Sequence, residues 1–138
     1  MSATAEVISL AREEDIVTAR QRAREISREL GFGAVDQSRI ATAVSELARN
    51  VIRYAHGAPG DVRIRALNGS APQRVGVEVV VHDDGPGIPD VHEALREGYT
   101  SGVGLGLGLP GTRRLMDELT IDSAVGRGTT VTIRKWRR

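Results

Sequence analysis

The hydrophobic pattern changes period in an orderly way along this chain, and that order restricts the folds open to it. Apolar residues recur every three or four positions up to residue 55, and from residue 61 they mostly alternate. The first pattern is that of helices and the second that of strands. Between Glu13 and Leu30 the positions Ile16, Val17, Ala19, Ala23, Ile26 and Leu30 mark an amphipathic helix, and Gly31-Phe32-Gly33 ends it. A second helix is expected from about Asp36 to Ala55, with Ile40, Val44, Leu47 and Val51 on one stripe. Ahead of both, Glu6 to Leu10 alternates as a first strand. Asp61 to Ala66 reads as a strand with one wet face, and Gly76 to His82 as a more apolar, central strand. Leu67 to Gln73, with Asn68-Gly69 and Pro72, reads as the hairpin turn between them. A loop follows from Asp84 through Gly85 to Pro89, with a short helix to Arg96. A further helix is expected from about Leu109 to Leu119, with Pro110 near its first position. Strands over Leu119 to Ala124 and Thr129 to Lys135, joined by Gly126-Arg127-Gly128, complete the chain. The fold class is α+β: a two-layer α/β sandwich with helices on one face of a mostly antiparallel mixed sheet. At 138 residues, with neither repeat nor linker, the chain reads as a single domain, 1–138.

Composition removes several kinds of function. The net charge of +1 supplies no strong field towards nucleic acid or a membrane, and neither is expected as a partner. There is no cysteine, which excludes disulfides, thiolate metal sites and a thiol nucleophile. His56, His82 and His92 form no H-x-x-x-H pair for a metal. No apolar run reaches spanning length and no signal peptide is visible, so the expected location is cytoplasmic.

Three short stretches carry chemistry. The first, GVGLGLGLPG from Gly102 to Gly111, holds five glycines in ten residues. Its second half matches the letters G-x-G-x-x-G, but a dinucleotide fingerprint needs an apolar strand directly before the glycines. Here Arg96-Glu-Gly-Tyr-Thr-Ser101 precedes them, and no P-loop occurs anywhere, so the Rossmann reading fails. Leu105, Leu107 and Leu109 are too apolar for a solvated linker, and glycines feeding a helix start make an anion site. A ligand-binding lid is therefore favoured over a plain linker. In the second stretch, Ser45-Glu46-Leu-Ala-Arg-Asn50, Glu46 and Asn50 stand one helical turn apart. A carboxylate there can take a proton and an amide oxygen can ligate a hard cation such as Mg²⁺. The same spacing suits an ordinary solvated polar pair. The third stretch, Asp83-Asp84-Gly85-Pro86-Gly87, follows the strongest strand. One aspartate can accept from an exocyclic amine while the glycines admit a planar ring, although a plain strand-ending turn has the same composition.

The order of these stretches is more specific than any one of them. Glu46-x-x-x-Asn50, Asp83-x-Gly85-x-Gly87, Gly106-x-Gly108-Leu-Pro and Gly126-x-Gly128-Thr129 together resemble the Bergerat-fold (GHKL) ATPases. Asp15-Ile-Val-x-Ala-Arg20, Glu29-Leu-Gly-Phe-Gly33, Val35-Asp-Gln-x-Arg39, Ser45 to Asn50 and Gly108 to Asp117 narrow the likeness. They resemble the RsbT-type serine/threonine switch kinases of bacterial stress-response modules. The likeness implies ATP and Mg²⁺, with Asn50 on the metal and Glu46 as general base or orienting the attacking hydroxyl. It implies Asp83 on the adenine amine with Thr129 nearby, and Gly85 and Gly87 lining the pocket. Gly102, Gly104, Gly106 and Gly108, with Leu109, would form a lid over the phosphates. It further implies STAS-domain antagonist or scaffold proteins as substrates and a PP2C-type phosphatase as a second partner. An anti-sigma factor kinase, or a nucleotide-gated binding module without phosphotransfer, is the alternative. Arg49 is either a phosphate or partner contact or a solvated arginine. The basic end Arg134 to Arg138 reads as a partner contact or a solubilising tail.

Overall fold

A computed structural model of the chain describes residues 5–55, 57–69, 74–95 and 108–138. The elements run β1 (Glu6–Leu10), α1 (Glu13–Glu29), α2 (Ala34–Tyr54), β2 (Gly60–Asn68), β3 (Val75–Asp83), α3 (Val91–Leu95), α4 (Leu109–Leu115), β4 (Glu118–Ala124) and β5 (Gly128–Trp136). The strands form one sheet in the order β1-β2-β3-β5-β4, with β3 at the centre as its apolar run predicts. Every pairing among the described residues is antiparallel, so the mixed character expected of the sheet is absent there.

Local signals set the helix ends. The Asp15 carboxylate accepts the backbone N–H groups of Ala11 and Arg12, which opens α1 and holds the carboxyl below the usual aspartate range. Gly31, at φ 88°, turns the chain after α1, and Phe32 N–H bonds back to the Ser27 carbonyl. Along α1 the buried positions are Ile16, Ala19, Ala23 and Ser27, whereas Val17 of the expected stripe faces solvent. Adjacent residues lie about 100° apart on a helix, so Ile16 and Val17 cannot both point inward on a narrow stripe.

Helix α2 packs against α1 and across β1, β2 and β3. Its Ile40, Val44, Leu47 and Val51 are buried with Val62, Ile64, Val77, Val79, Val81, Val131 and Ile133 of the sheet. Each such side chain contributes about 1.5–3 kcal/mol on burial. Ala41, Ala43 and Ala48, all buried, add no bulk to the faces α2 presents to its neighbours.

Two boundaries depart from expectation because sheet pairing overrides helix pattern. Helix α4 ends at Leu115, not Leu119, since Met116 is extended and Asp117 N–H bonds the Arg134 carbonyl. Glu118 then pairs with Arg134 as the first residue of β4. The basic segment is likewise no tail up to Trp136. Arg134, Lys135 and Trp136 belong to β5, and Lys135 is buried with its ammonium on the Leu115 carbonyl at 2.9 Å. The expected hairpin turn lies outside the described residues over 70–73, flanked by Gly69 N–H bonding the Arg74 carbonyl.

On the sheet face away from α2, Glu78 is buried between Arg65 of β2 and Arg134 of β5, at 2.7 Å from each. Burial pushes its carboxyl up, but the two guanidiniums outweigh that and leave its pKa below the ordinary value. Glu78→Gln is expected to cost about 1–2 kcal/mol at neutral pH, the low end for a charged pair, since both arginines reach solvent. A carboxyl with a depressed folded pKa stabilises above its unfolded value. The gap to wild type should therefore be full above the ordinary glutamate pKa of 4.5 and close as pH falls through the lower folded value. Denaturant unfolding of both proteins across that range checks it.

Candidate functional site

Strand register brings the third sequence stretch to the front of the sheet. Asp83, the last residue of β3, lies opposite Thr129 of β5, and Thr129 lies opposite Ser123 of β4. Alternate residues share a face, so these three side chains form one row across three strands. The row ends beside a cavity lined by Asn50, Tyr54, Asp83, Gly87, Leu109 and Thr129, with Val51, Val81, Ile88 and Val131 as apolar walls. An apolar slot with a few convergent polar groups suits a planar heterocycle with an exocyclic donor.

Two glycines allow the backbones to meet behind this cavity. Gly87 has φ 82°, and a Cβ on it would stand 2.1 Å from the Ala124 carbonyl oxygen. Gly128 has φ 79°, and its Cβ would stand 2.1 Å from the Asp83 carbonyl oxygen. No L side chain fits either position without moving the backbone. The loop is then fastened to the β4–β5 hairpin by Gly126 N–H on the Pro86 carbonyl at 2.9 Å and Ile88 N–H on Ser123 Oγ at 2.8 Å. Gly85 does not line the cavity as expected. It packs on the end of α2, its Cβ position 2.7 Å from Ala55 Cα, and its N–H donates to Asp83 Oδ1 at 2.9 Å.

Of the two adjacent aspartates, only Asp83 faces the cavity. Asp84 is drawn to the other side, where its carboxylate accepts from His82 Nε2 at 2.9 Å while His82 Nδ1 meets the Thr130 hydroxyl at 2.8 Å. Burial pushes the Asp83 carboxyl up, against the Gly85 hydrogen bond that pulls it down.

Asn50 sits one turn from Glu46 on α2, but the two open on different hollows. Asn50 lines the cavity; Glu46 lines a groove with Thr42, Gly108, Gly111, Thr112 and Arg114. Gly108, at φ 66°, precedes α4, and a Cβ there would lie 3.0 Å from Glu46 Oε2. The next residue, Leu109, is buried in the cavity wall, so the start of α4 divides cavity from groove. Arg49 is neither isolated nor merely solvated: its Nη1 donates to Glu46 Oε1 at 2.8 Å. Gly102, Gly104 and Gly106 lie outside the described residues. Tyr54 was missed in the sequence, although it continues the four-residue spacing of Glu46 and Asn50 along α2.

The family described as "Histidine kinase-like ATPase domain" matches residues 10–135. The chain is 46% identical over 126 residues to the serine/threonine-protein kinase RsbT of Bacillus subtilis, covering 91% of this chain and 92% of that one.

The chain belongs to the histidine kinase-like ATPase family.

Within it, the chain is an RsbT-type protein. It is also 35% identical over 101 residues to an anti-sigma F factor of Caldanaerobacter subterraneus, covering 70% of this chain and 68% of that one. Two solved structures share the fold. The RsbU and RsbW domains of Rv1364c from Mycobacterium tuberculosis superpose with TM-score 0.60 at 21% identity, over 98% of this chain and 33% of that one. The catalytic domain of the histidine kinase ThkA superposes with TM-score 0.53 at 20% identity, over 96% of both chains. An ATPase of this family uses a nucleotide. No helix among the described residues is long and apolar enough to cross a membrane.

The half-buried charge on Asp83 costs stability. A raised folded pKa means that protonation favours the folded state, and this contribution is lost as pH rises through the folded pKa. Asp83→Asn keeps an oxygen for Gly85 N–H and removes the charge. The nucleotide-free variant should therefore melt above wild type at neutral pH. The advantage should vanish in acid, where wild-type Asp83 is itself neutral. Thermal unfolding at the two pH values measures this.

Proposed function

We propose that this chain is an ATP-dependent protein kinase that moves the γ-phosphate to a serine or threonine of a STAS-domain partner. Its output is an exchange of partners that also engages a PP2C-type phosphatase, and the whole chain, 1–138, acts as one catalytic domain in the cytoplasm. The observation that supports it best is the placing of Glu46 across the α4 start from the cavity, with Asn50 one helical turn away in the cavity lining. Adenine then lies against Asp83 and Thr129, the phosphates lead towards Asn50, and an acceptor hydroxyl reaches Glu46 from the groove. Of the glycines expected to form a lid, Gly108 stands at the start of α4 beside Glu46, where it would meet the phosphates.

The metal proposed is Mg²⁺. Among the described residues no group of three His, Asp or Glu side chains could hold an ion alone. A single amide oxygen at Asn50 fits Mg²⁺, which is held by few protein ligands and completes its shell with phosphate oxygens and water. The metal supplies charge neutralisation on the phosphates. In the transfer, the bond from the acceptor oxygen to the γ-phosphorus forms while that to the β-bridging oxygen breaks, and ADP leaves. The hydroxyl proton goes to the Glu46 carboxylate, which Arg49 orients through its other oxygen. Phosphoryl transfer mostly needs positioning and charge stabilisation of this kind.

Single-turnover labelling with γ-labelled ATP and a STAS-domain partner tests the reading. Label is expected on a partner hydroxyl, and Glu46→Gln should abolish it while keeping nucleotide affinity. Asn50→Ala should weaken Mg²⁺-ATP far more than metal-free ATP. Asp83→Asn should weaken ATP and ADP about tenfold to a hundredfold, the effect of about 1–3 kcal/mol for a mispaired buried group, and leave GTP unaffected. The relatedness to anti-sigma F factors keeps one second reading in view: tight ATP-dependent complexes without label would make the chain a nucleotide-gated binder.

A further inference from the structure

Behind the adenine pocket stands a side chain that neither the motifs nor the cavity lining picks out. Ser123 accepts the Ile88 N–H at 2.8 Å, lies 3.1 Å from the Gly128 carbonyl and 2.8 Å from Thr129 Oγ1. A serine hydroxyl has one proton and two acceptor positions. Ile88 N–H takes one acceptor position. The Gly128 carbonyl can only accept, so the Ser123 proton goes to it if all three contacts are met. Thr129 must then donate its own proton to Ser123 Oγ. The Thr129 oxygen is left facing the cavity with lone pairs only. Its register partner Asp83 has Oδ1 engaged by Gly85 N–H and presents acceptors as well.

We propose that Ser123 is a positioning residue that sets base selectivity: by absorbing the Thr129 proton, it makes the Asp83–Thr129 pair an acceptor-only edge. Such an edge accepts the amino group of adenine and repels the carbonyl that guanine carries at the same place. Through Ile88, the same hydroxyl also anchors the loop that forms the far wall. The proposal rests on the adenine reading of the cavity given above.

The test is equilibrium binding of ATP and GTP, and of ADP and GDP, to the full chain without a protein partner. Wild type should prefer the adenine nucleotides. In Ser123→Ala the Thr129 hydroxyl is free to turn and donate, so the ATP-over-GTP ratio should fall about tenfold, the effect of one misdirected buried hydrogen bond. In a Thr129→Val background, Ser123→Ala should no longer change the ratio, because no proton remains to direct. Ser123→Cys, similar in shape with a weak donor and acceptor, should shift the ratio in the same direction by less, and serves if the alanine variant does not fold. Equal weakening of ATP and GTP in Ser123→Ala, or an undiminished effect in the Thr129→Val background, would reduce Ser123 to a structural tie and overturn the proposal. A wild-type protein with no adenine preference would instead overturn the reading of the cavity beneath it.

Discussion

Helix α2 lays Ile40, Val44, Leu47 and Val51 on the valines and isoleucines of β2, β3 and β5, and nearly everything else in the molecule is referred to that contact. The burial fixes the helix in rotation as well as in place, because turning it by one residue would expose the stripe and bury charge. Glu46, Asn50 and Tyr54 ride on the flank of the same stripe. Core packing therefore sets the side of the helix from which they point. Arg49 completes the flank by holding one oxygen of Glu46. A core substitution such as Leu47→Ala would act twice, through a cavity costing about 2–5 kcal/mol and through the aim of the residues beside it.

The other wall is built from backbone. Gly87 and Gly128 let three chain segments approach to distances that any side chain would prevent. What they bring together is a row of polar groups, Asp83, Thr129 and Ser123, at the open end of an apolar sheet face. Natural cores avoid such a row unless its hydrogen bonds close. Here Ser123 meets Ile88 N–H, the Gly128 carbonyl and Thr129, and Asp83 accepts from Gly85 N–H. Burial pushes the Asp83 carboxyl up at that end of the row.

Much of this was legible from residue order, and the failures have a common cause. Period alone located β1 to the residue and placed α1, α2 and the central β3, because amphipathic burial is written locally. The α4 boundary was missed because Met116 and Asp117 are governed by Arg134 and Trp136, some twenty residues away in sequence. The basic end looked like a tail for the same reason: Lys135 has its partner in the Leu115 carbonyl, and Arg134 in Glu78. Asp83 and Asn50, singled out by a neighbouring glycine run and by helical spacing, line one cavity with Leu109 and Thr129, which only the family resemblance had singled out. Gly85 was placed on the pocket wall by adjacency to Asp83, while its contact is with Ala55. Ser123 could not be found at all, since only register sets it behind Thr129.

The arrangement along α2 also accounts for why one helix serves binding and chemistry together. At 1.5 Å rise per residue, Tyr54, Asn50 and Glu46 mark a line of about 12 Å along the helix axis. Tyr54 and Asn50 belong to the cavity, and Glu46 to the groove beyond Gly108. On the proposed reading that line is the order of a bound nucleotide and its acceptor: base, phosphates, hydroxyl. A nucleotide seated against Asp83 is thereby directed along a rigid ruler towards the carboxylate. The start of α4, between cavity and groove, is then the element that any change at the phosphates must press upon. On that reading, nucleotide state and the shape of the groove would be coupled through the shared wall, without a second site.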